Sequence, residues 1–293
     1  MLGQEAAKIP APEEPRPDEF TLSSAHEKRK LLNEILGKMD SLLVAFSGGV
    51  DSTFLLKAAA IALQGRVVAM TATSPTYPER EFKEASALAN QIGVRHVIVE
   101  SNELEIPNFS DNTDKRCYYC KHALFEIALE NARSLGLTAA ADGSNADDMK
   151  DYRPGRTAAS ELGIRSPLQE AGLTKNEIRI LSREMGLPTW NKPSFACLSS
   201  RFPYGTEITE ERLGKVGRGE DLLFGLGFRQ FRVRYHGDTV RIEVAPMELP
   251  AFLDNGLRLK AVEGFKEIGF TYVTLDLQGY RTGSMNEVLK KPR

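Results

Sequence analysis

The sequence predicts an α/β protein: a doubly wound parallel sheet with helices on both faces, followed by a small α+β unit. Three observations predict it. Apolar runs of strand length alternate with helical patterns over the first two thirds of the chain, the signature of consecutive βαβ units. A Ser47-Gly48-Gly49 turn joins an apolar run, 42–46, to a helical one. Beyond Tyr204-Gly205 the text changes character, and two short alternating runs flank His236-Gly237-Asp238 in the manner of a hairpin.

The elements follow in order. Residues 1–24 carry Pro10, Pro12, Pro15 and Pro17 among acidic residues, too little apolar surface to offset the entropy of ordering, so a disordered tail is expected there. A helix is expected at 26–36, strands at 42–46, 66–72, 94–99 and 138–141, and helices near 52–63, 78–92 and 118–135. Thr174-Lys175-Asn176-Glu177 reads as a capping box opening a helix that Gly186 and Pro188 end. A helix near 210–226, strands at 231–235 and 239–244, a helix at 249–268 and a strand at 271–277 complete the second unit. The expected domains are 25–200 and 201–293.

Composition narrows the function. The chain has 293 residues, 41% of them apolar, enough for ordinary cores. Its 38 Lys and Arg nearly balance 40 Asp and Glu, so there is no field of the kind that drives nonspecific nucleic-acid binding. No apolar run approaches the roughly 18 residues that span a bilayer, and the first residues lack a secretory pattern. A soluble cytoplasmic protein is expected. An odd cysteine count of three argues against a disulfide framework.

The turn at 47–52 carries the most chemistry. A buried strand that ends in Ser-Gly-Gly and opens a helix aims free backbone N–H groups, with the hydroxyls of Ser47 and Ser52, at one anion. A helix-capping glycine turn would account for Gly48 and Gly49 but not for both serines with Asp51. The Walker ending is absent, and no lysine stands ready for a terminal phosphate. Asp51 is placed to orient Mg²⁺ or its waters. Ala72, Thr73 and Ser74 at the end of the second strand are candidates for backbone contacts to adenine, and Asp142-Gly143 after the fourth lines the same crevice.

Cys117 and Cys120 fall at the start of an expected helix, where the backbone field favours thiolates and two sulfurs three residues apart can face one ion. With Cys197 they suit zinc, closed by His122, or an iron–sulfur cluster with one open iron. Ligand count favours the cluster by a modest margin. The plainer reading, buried inert thiols, is less common for a CxxC pair. His122, His96 and His236 are expected to be surface or satisfied histidines rather than ligands or bases, and Trp190 to serve packing.

The loop Ser47-Gly48-Gly49-Val50-Asp51-Ser52 resembles the PP-loop of the ATP-pyrophosphatase superfamily. With Asp142-Gly143, Asp151-Tyr152-Arg153-Pro154-Gly155, Ser199-Ser200-Arg201-Phe202-Pro203-Tyr204-Gly205, Arg232-Val233-Arg234, Arg241-Ile242-Glu243 and 272–277, the chain resembles the LarE family over 27–286. The resemblance implies an AMP-forming sulfurtransferase acting on a pyridinium-3,5-biscarboxylic acid mononucleotide, with ATP held by Ser47, Gly48, Gly49, Asp51 and Ser52 and catalysis by Cys197, Asp51 and Ser52. Substrate carboxylates and phosphate would meet planar, permanently charged donors: Arg153, Arg156, Arg201, Arg232 and Arg234, with Ser200 and Glu243 beside them. For Arg232 and Arg234 the plainer reading is a solvated strand face with cross-strand partners such as Glu243.

Members with a single cysteine at the position of Cys197 consume it as sulfur donor. The added Cys117 and Cys120 imply instead a [4Fe–4S] cluster carrying an extra sulfide, with Cys197 a ligand that survives turnover. Sulfide or another sulfur donor and a homo-oligomer, such as a hexamer, are also implied. The rivals are a tRNA thiolation enzyme with the same loop and cluster, which calls for a basic RNA-binding module, and a zinc-stapled nucleotide-binding protein without catalysis.

Overall fold

A computed structural model describes residues 18–150 and 154–289, which divide into two compact units, 18–109 with 114–195, and 110–113 with 196–289. The first unit opens with α1 (Glu19–Gly37), several residues earlier than the sequence suggested. Asp18 caps it by accepting the Thr21 N–H at 2.7 Å, and Ala25 anchors that end in the core. Residues 19–24 are therefore helical and not tail; 1–17 lie outside the described residues.

Then come β1 (Leu42–Ala45), α2 (Val50–Ala62), β2 (Val67–Thr73), α3 (Glu79–Ile92), β3 (Arg95–Glu100), α4 (Arg116–Ser134), β4 (Ala139–Ala141), α5 (Gly155–Glu161), α6 (Pro167–Glu170) and α7 (Lys175–Glu184). The strands are all parallel, in the order β3-β2-β1-β4. Side chains alternate across the sheet: Leu42 and Val44 pack with Leu32 of α1, Phe54 of α2 and Ile178 of α7, while Leu43 packs with Phe125 of α4 and Ala158 of α5. Leu42, Leu43 and Val44 are fully buried, each contributing about 1.5–3 kcal/mol. Both faces are thus covered, as a parallel sheet requires. Because β2 and β4 flank β1 on opposite sides, the direction of winding reverses at β1, and the carboxyl ends of β1 and β4 form the crevice where such folds bind ligands.

The second unit comprises α8 (Glu210–Gly225), β5 (Phe231–His236), β6 (Thr239–Val244), α9 (Asn255–Ile268) and β7 (Tyr272–Leu275). β5 and β6 form an antiparallel hairpin and β7 joins β6 in parallel. Gly237 takes the positive φ of 65° that the tight turn demands. A Cβ on Gly219 would sit 2.7 Å from Phe265 and 3.1 Å from Val233, so a bare backbone lets α8 rest against α9 and β5. The single helix expected at 249–268 is divided: a 3-10 segment, Pro246–Leu253, contains Pro250, and α9 starts afresh where Asp254 accepts the Leu257 N–H at 2.7 Å. Proline lacks the N–H that a continuous helix would need. Among the described residues no helix is long and apolar enough to cross a membrane.

Candidate active site

The chain leaves β1 through 46–49 and enters α2 with Gly49 as N-cap and no side-chain cap bond, which leaves the helix N-terminus free to attract an anion. Gly48 has φ 63°, and a Cβ there would fall 2.9 Å from that of Ala85. Only glycine suits both the backbone and the neighbour. The loop carbonyls are each held. Thr71 Oγ1 donates to Phe46 O at 2.8 Å, Tyr77 Oη to Ser47 O at 2.9 Å, Lys192 Nζ to Gly48 O at 3.3 Å and Ser52 Oγ to Gly49 O at 3.3 Å. The hydroxyls expected at the anion bond each other at 3.2 Å, and Ser52 Oγ also accepts the Ser47 N–H.

Residues distant in sequence converge on this loop. Asp51 pairs with Lys175 at 2.6 Å and accepts from Asn145 Nδ2 at 3.4 Å. Gly143, after β4, approaches so closely that a Cβ would stand 3.0 Å from Ser52 N. Asp142 is buried and accepts from the hydroxyls of Ser166 at 2.7 Å and Ser144 at 2.6 Å, so it braces the β4 end of the crevice. Ala72, Thr73 and Ser74 close β2, with Thr73 Oγ1 bonded to Val99 O. Lys175 and Lys192 are what the sequence reading missed: cations beside the loop that arrive from around α7. Lys175 was visible only as a member of the capping box, which does form, with Glu177 at its third position. Burial raises the Glu177 carboxyl, but hydrogen bonds from Lys28, Thr174 and Ser24 outweigh it and hold the group at about 2. That anchor ties α1 to the start of α7, and so places Lys175.

Cys117 and Cys120 occupy the first turn of α4, the former exposed and the latter half-buried. Their spacing puts both sulfurs on one side of the turn. Gly155 sits against this turn, where a Cβ would meet Lys121 Cγ at 2.7 Å and Cys117 O at 3.5 Å, which brings the neighbouring Arg156 into the same region. Arg156 Nη1 donates to the carbonyls of Asp148 and Met149; Arg153 lies outside the described residues. His122 faces Glu126 at 3.3 Å, His96 bonds Thr71 at 2.8 Å, and Arg183 covers the Trp190 ring. Among the described residues no group of three or more His, Cys, Asp or Glu is arranged to hold a metal ion.

In the second unit Cys197 is the half-buried N-cap of a 3-10 segment, Leu198–Arg201. Arg201, expected to meet substrate, is fully buried. It binds both oxygens of Glu220 at 2.6 and 3.0 Å, and donates to Ala196 O, Cys197 O and Ser200 Oγ. It therefore braces the cysteine loop against α8. Arg232 and Arg234 are also buried, so their strand face is not a solvated one. Arg234 donates to Glu243 Oε2 at 2.8 Å, Ser200 O at 2.8 Å and Ser284 Oγ at 3.1 Å, and Glu243 also pairs with Arg241 at 3.1 Å. Arg232 stacks on Tyr280 at 4.7 Å. Burial, then the charge of Arg201, pushes its guanidinium below the ordinary range, though an arginine stays charged at neutral pH.

A parallel sheet with a glycine loop at its winding reversal, opening an uncapped helix beside aspartate and lysine, defines a PP-loop ATP-utilising enzyme. The family model described as asparagine synthase matches residues 39–147, the span from before β1 to just past β4. A pyridinium-3,5-bisthiocarboxylic acid mononucleotide synthase of Lactiplantibacillus plantarum is 39% identical over 265 residues, covering 90% of this chain and 95% of that one. The chain belongs to the family of that synthase and is an ATP-dependent sulfurtransferase. An uncharacterised protein of Synechocystis is 46% identical over 90% of this chain and 98% of its own. The tRNA-specific 2-thiouridylase MnmA of Desulforamulus reducens is 27% identical, over 52% of each chain.

Proposed function

We propose that the chain adenylates carboxylates of pyridinium-3,5-biscarboxylic acid mononucleotide and replaces AMP by sulfur, giving thiocarboxylates for a nickel-pincer cofactor. The observation that carries this is the uncapped N-terminus of α2, with the carbonyls of 46–49 all bound to other donors. In this reading a substrate carboxylate oxygen attacks the α-phosphorus of ATP. The bond to the β-phosphate breaks, and loop amides with Lys175 stabilise the departing pyrophosphate. Asp51 would hold Mg²⁺ through oxygen. Sulfur then attacks the acyl carbon, and AMP leaves as a stable phosphate where a bare carboxylate oxygen would not. Arg156 in the first unit and Arg201, Arg232 and Arg234 in the second are the charges offered to the substrate's anionic groups, with Ser200 and Glu243 holding Arg234. Likeness to the 2-thiouridylase extends over only half the chain, so a small-molecule substrate is the better reading than tRNA.

Three thiols suit a [4Fe–4S] cluster, and the exposed CxxC turn has the donor chemistry for two of its ligands. When bound, the cluster would supply the sulfur that Cys197 supplies in a one-cysteine enzyme. Anaerobic purification with iron, sulfide and zinc analysis, followed by intact-mass measurement after turnover with excess sulfide, tests this. The expected result is iron with unchanged protein mass. A loss of about 34 Da at Cys197 would show sacrifice of its sulfur, and zinc without iron would replace the cluster reading by a structural site.

A further inference from the structure

Two side chains outside the loop motif bond its carbonyls. In a trans peptide the carbonyl of one residue and the N–H of the next point in opposite directions. The hydroxyl of Tyr77 holds the Ser47 carbonyl at 2.9 Å, and the ammonium of Lys192 holds the Gly48 carbonyl at 3.3 Å. These bonds turn the N–H groups of Gly48 and Gly49 away from Tyr77 and Lys192 respectively. Gly48 and Gly49 are the residues least able to fix their own orientation, because they have no side chain to restrict rotation. Without an external hold, the two peptide planes would have to be ordered by the ligand, at the ligand's cost in affinity.

The holding groups are themselves secured. Lys192 lies 2.8 Å from Glu81 and 2.6 Å from Glu84, both on α3. Glu81 is buried. Arg179 donates to the carbonyls of Trp190 and Lys192 at 2.9 Å, which fixes the backbone that carries the lysine. Burial first, then the charges of Glu81 and Glu84, raises the Tyr77 phenol above its ordinary range, so its hydroxyl remains a donor at any working pH.

We propose that Tyr77 and Lys192 are positioning residues of the nucleotide site, clamping the 47–48 and 48–49 peptide planes so that the Gly48 and Gly49 amides are set for pyrophosphate before it arrives. The inference rests on the loop being the phosphate site. Tyr77→Phe removes one hydroxyl and no charge, which makes it the clean test. It should weaken binding of inorganic pyrophosphate roughly tenfold, the scale of one lost hydrogen bond and its orienting effect. AMP affinity should stay at the wild-type value, and the melting temperature of the free protein should fall by no more than the few degrees that one lost hydrogen bond accounts for. Lys192→Met should weaken pyrophosphate at least as much, and Lys192→Arg, which keeps a charged donor, should recover most of it.

Unchanged pyrophosphate affinity in Tyr77→Phe would overturn the inference while leaving the loop as the site. Equal weakening of AMP, or a fall in melting temperature beyond a few degrees, would also overturn it, since either marks general distortion. Absence of pyrophosphate binding in the wild-type protein would overturn the phosphate-site reading itself.

Discussion

The PP-loop region of the first unit and the arginine cluster of the second both gather polar groups suited to anions, but they are built differently. Around the loop the donors are backbone amides, and side chains act from outside on the carbonyls; the pair of Asp51 with Lys175 remains about a quarter exposed. In the second unit the donors are the side chains themselves, and Arg201 with Glu220 is wholly enclosed. The fold around the loop can lose a partly exposed pair such as Asp51 with Lys175 and stay intact. A buried guanidinium network cannot lose a carboxylate without leaving a charge stranded.

The largest expected effect follows from that difference. Glu220→Ala strands Arg201 and frees the Val233 N–H that Glu220 also accepts, and should destabilise the protein by about 3–5 kcal/mol in denaturant unfolding. Asp51→Ala, at the exposed pair, should cost no more than about 1 kcal/mol. Equal losses in the two variants would remove the distinction between the regions.

A smaller effect concerns the anchor that places Lys175. The Glu177 carboxyl is depressed from its usual 4.5 to about 2, so its contribution is fully present above about pH 4.5 and is lost as pH falls through 2. Its size is about 3 kcal/mol, taking 1.36 kcal/mol per pH unit of depression. Wild type should therefore exceed Glu177→Gln in stability at pH 6, with the gap closing toward pH 2. A gap independent of pH would show that the ionised carboxylate is not what holds α1 to α7.

What could be read from residues alone divides along the same line. The loop was readable because a backbone cradle is local: Ser47-Gly48-Gly49 after an apolar run needs nothing else in the chain. The alternation of Leu42, Leu43 and Val44 between two helix layers likewise follows from strand geometry. Glu220 was not readable as the partner of Arg201, since it sits inside α8 and no spacing rule links a helix interior to a distant loop. Lys192 was hidden for the same reason, between Asn191 and Pro193 with no pattern of its own. Two boundaries did have local signals. Asp18, an acceptor just beyond Pro17, marks the start of α1, and Pro250 with Asp254 marks the break before α9, but the apolar periodicity runs through both.

In the proposed reaction the loop drives cleavage of ATP between the α and β phosphates to activate a carboxylate. The direct measurement is product formation from ATP and the pyridinium biscarboxylate mononucleotide in wild type and Asp51→Ala. Wild type should release pyrophosphate and AMP in equal amounts as thiocarboxylate appears, and Asp51→Ala, still folded, should lose pyrophosphate release by about a hundredfold, about 2.7 kcal/mol of transition-state stabilisation. Release of ADP and phosphate in place of pyrophosphate, or near-normal pyrophosphate release by Asp51→Ala, would contradict it.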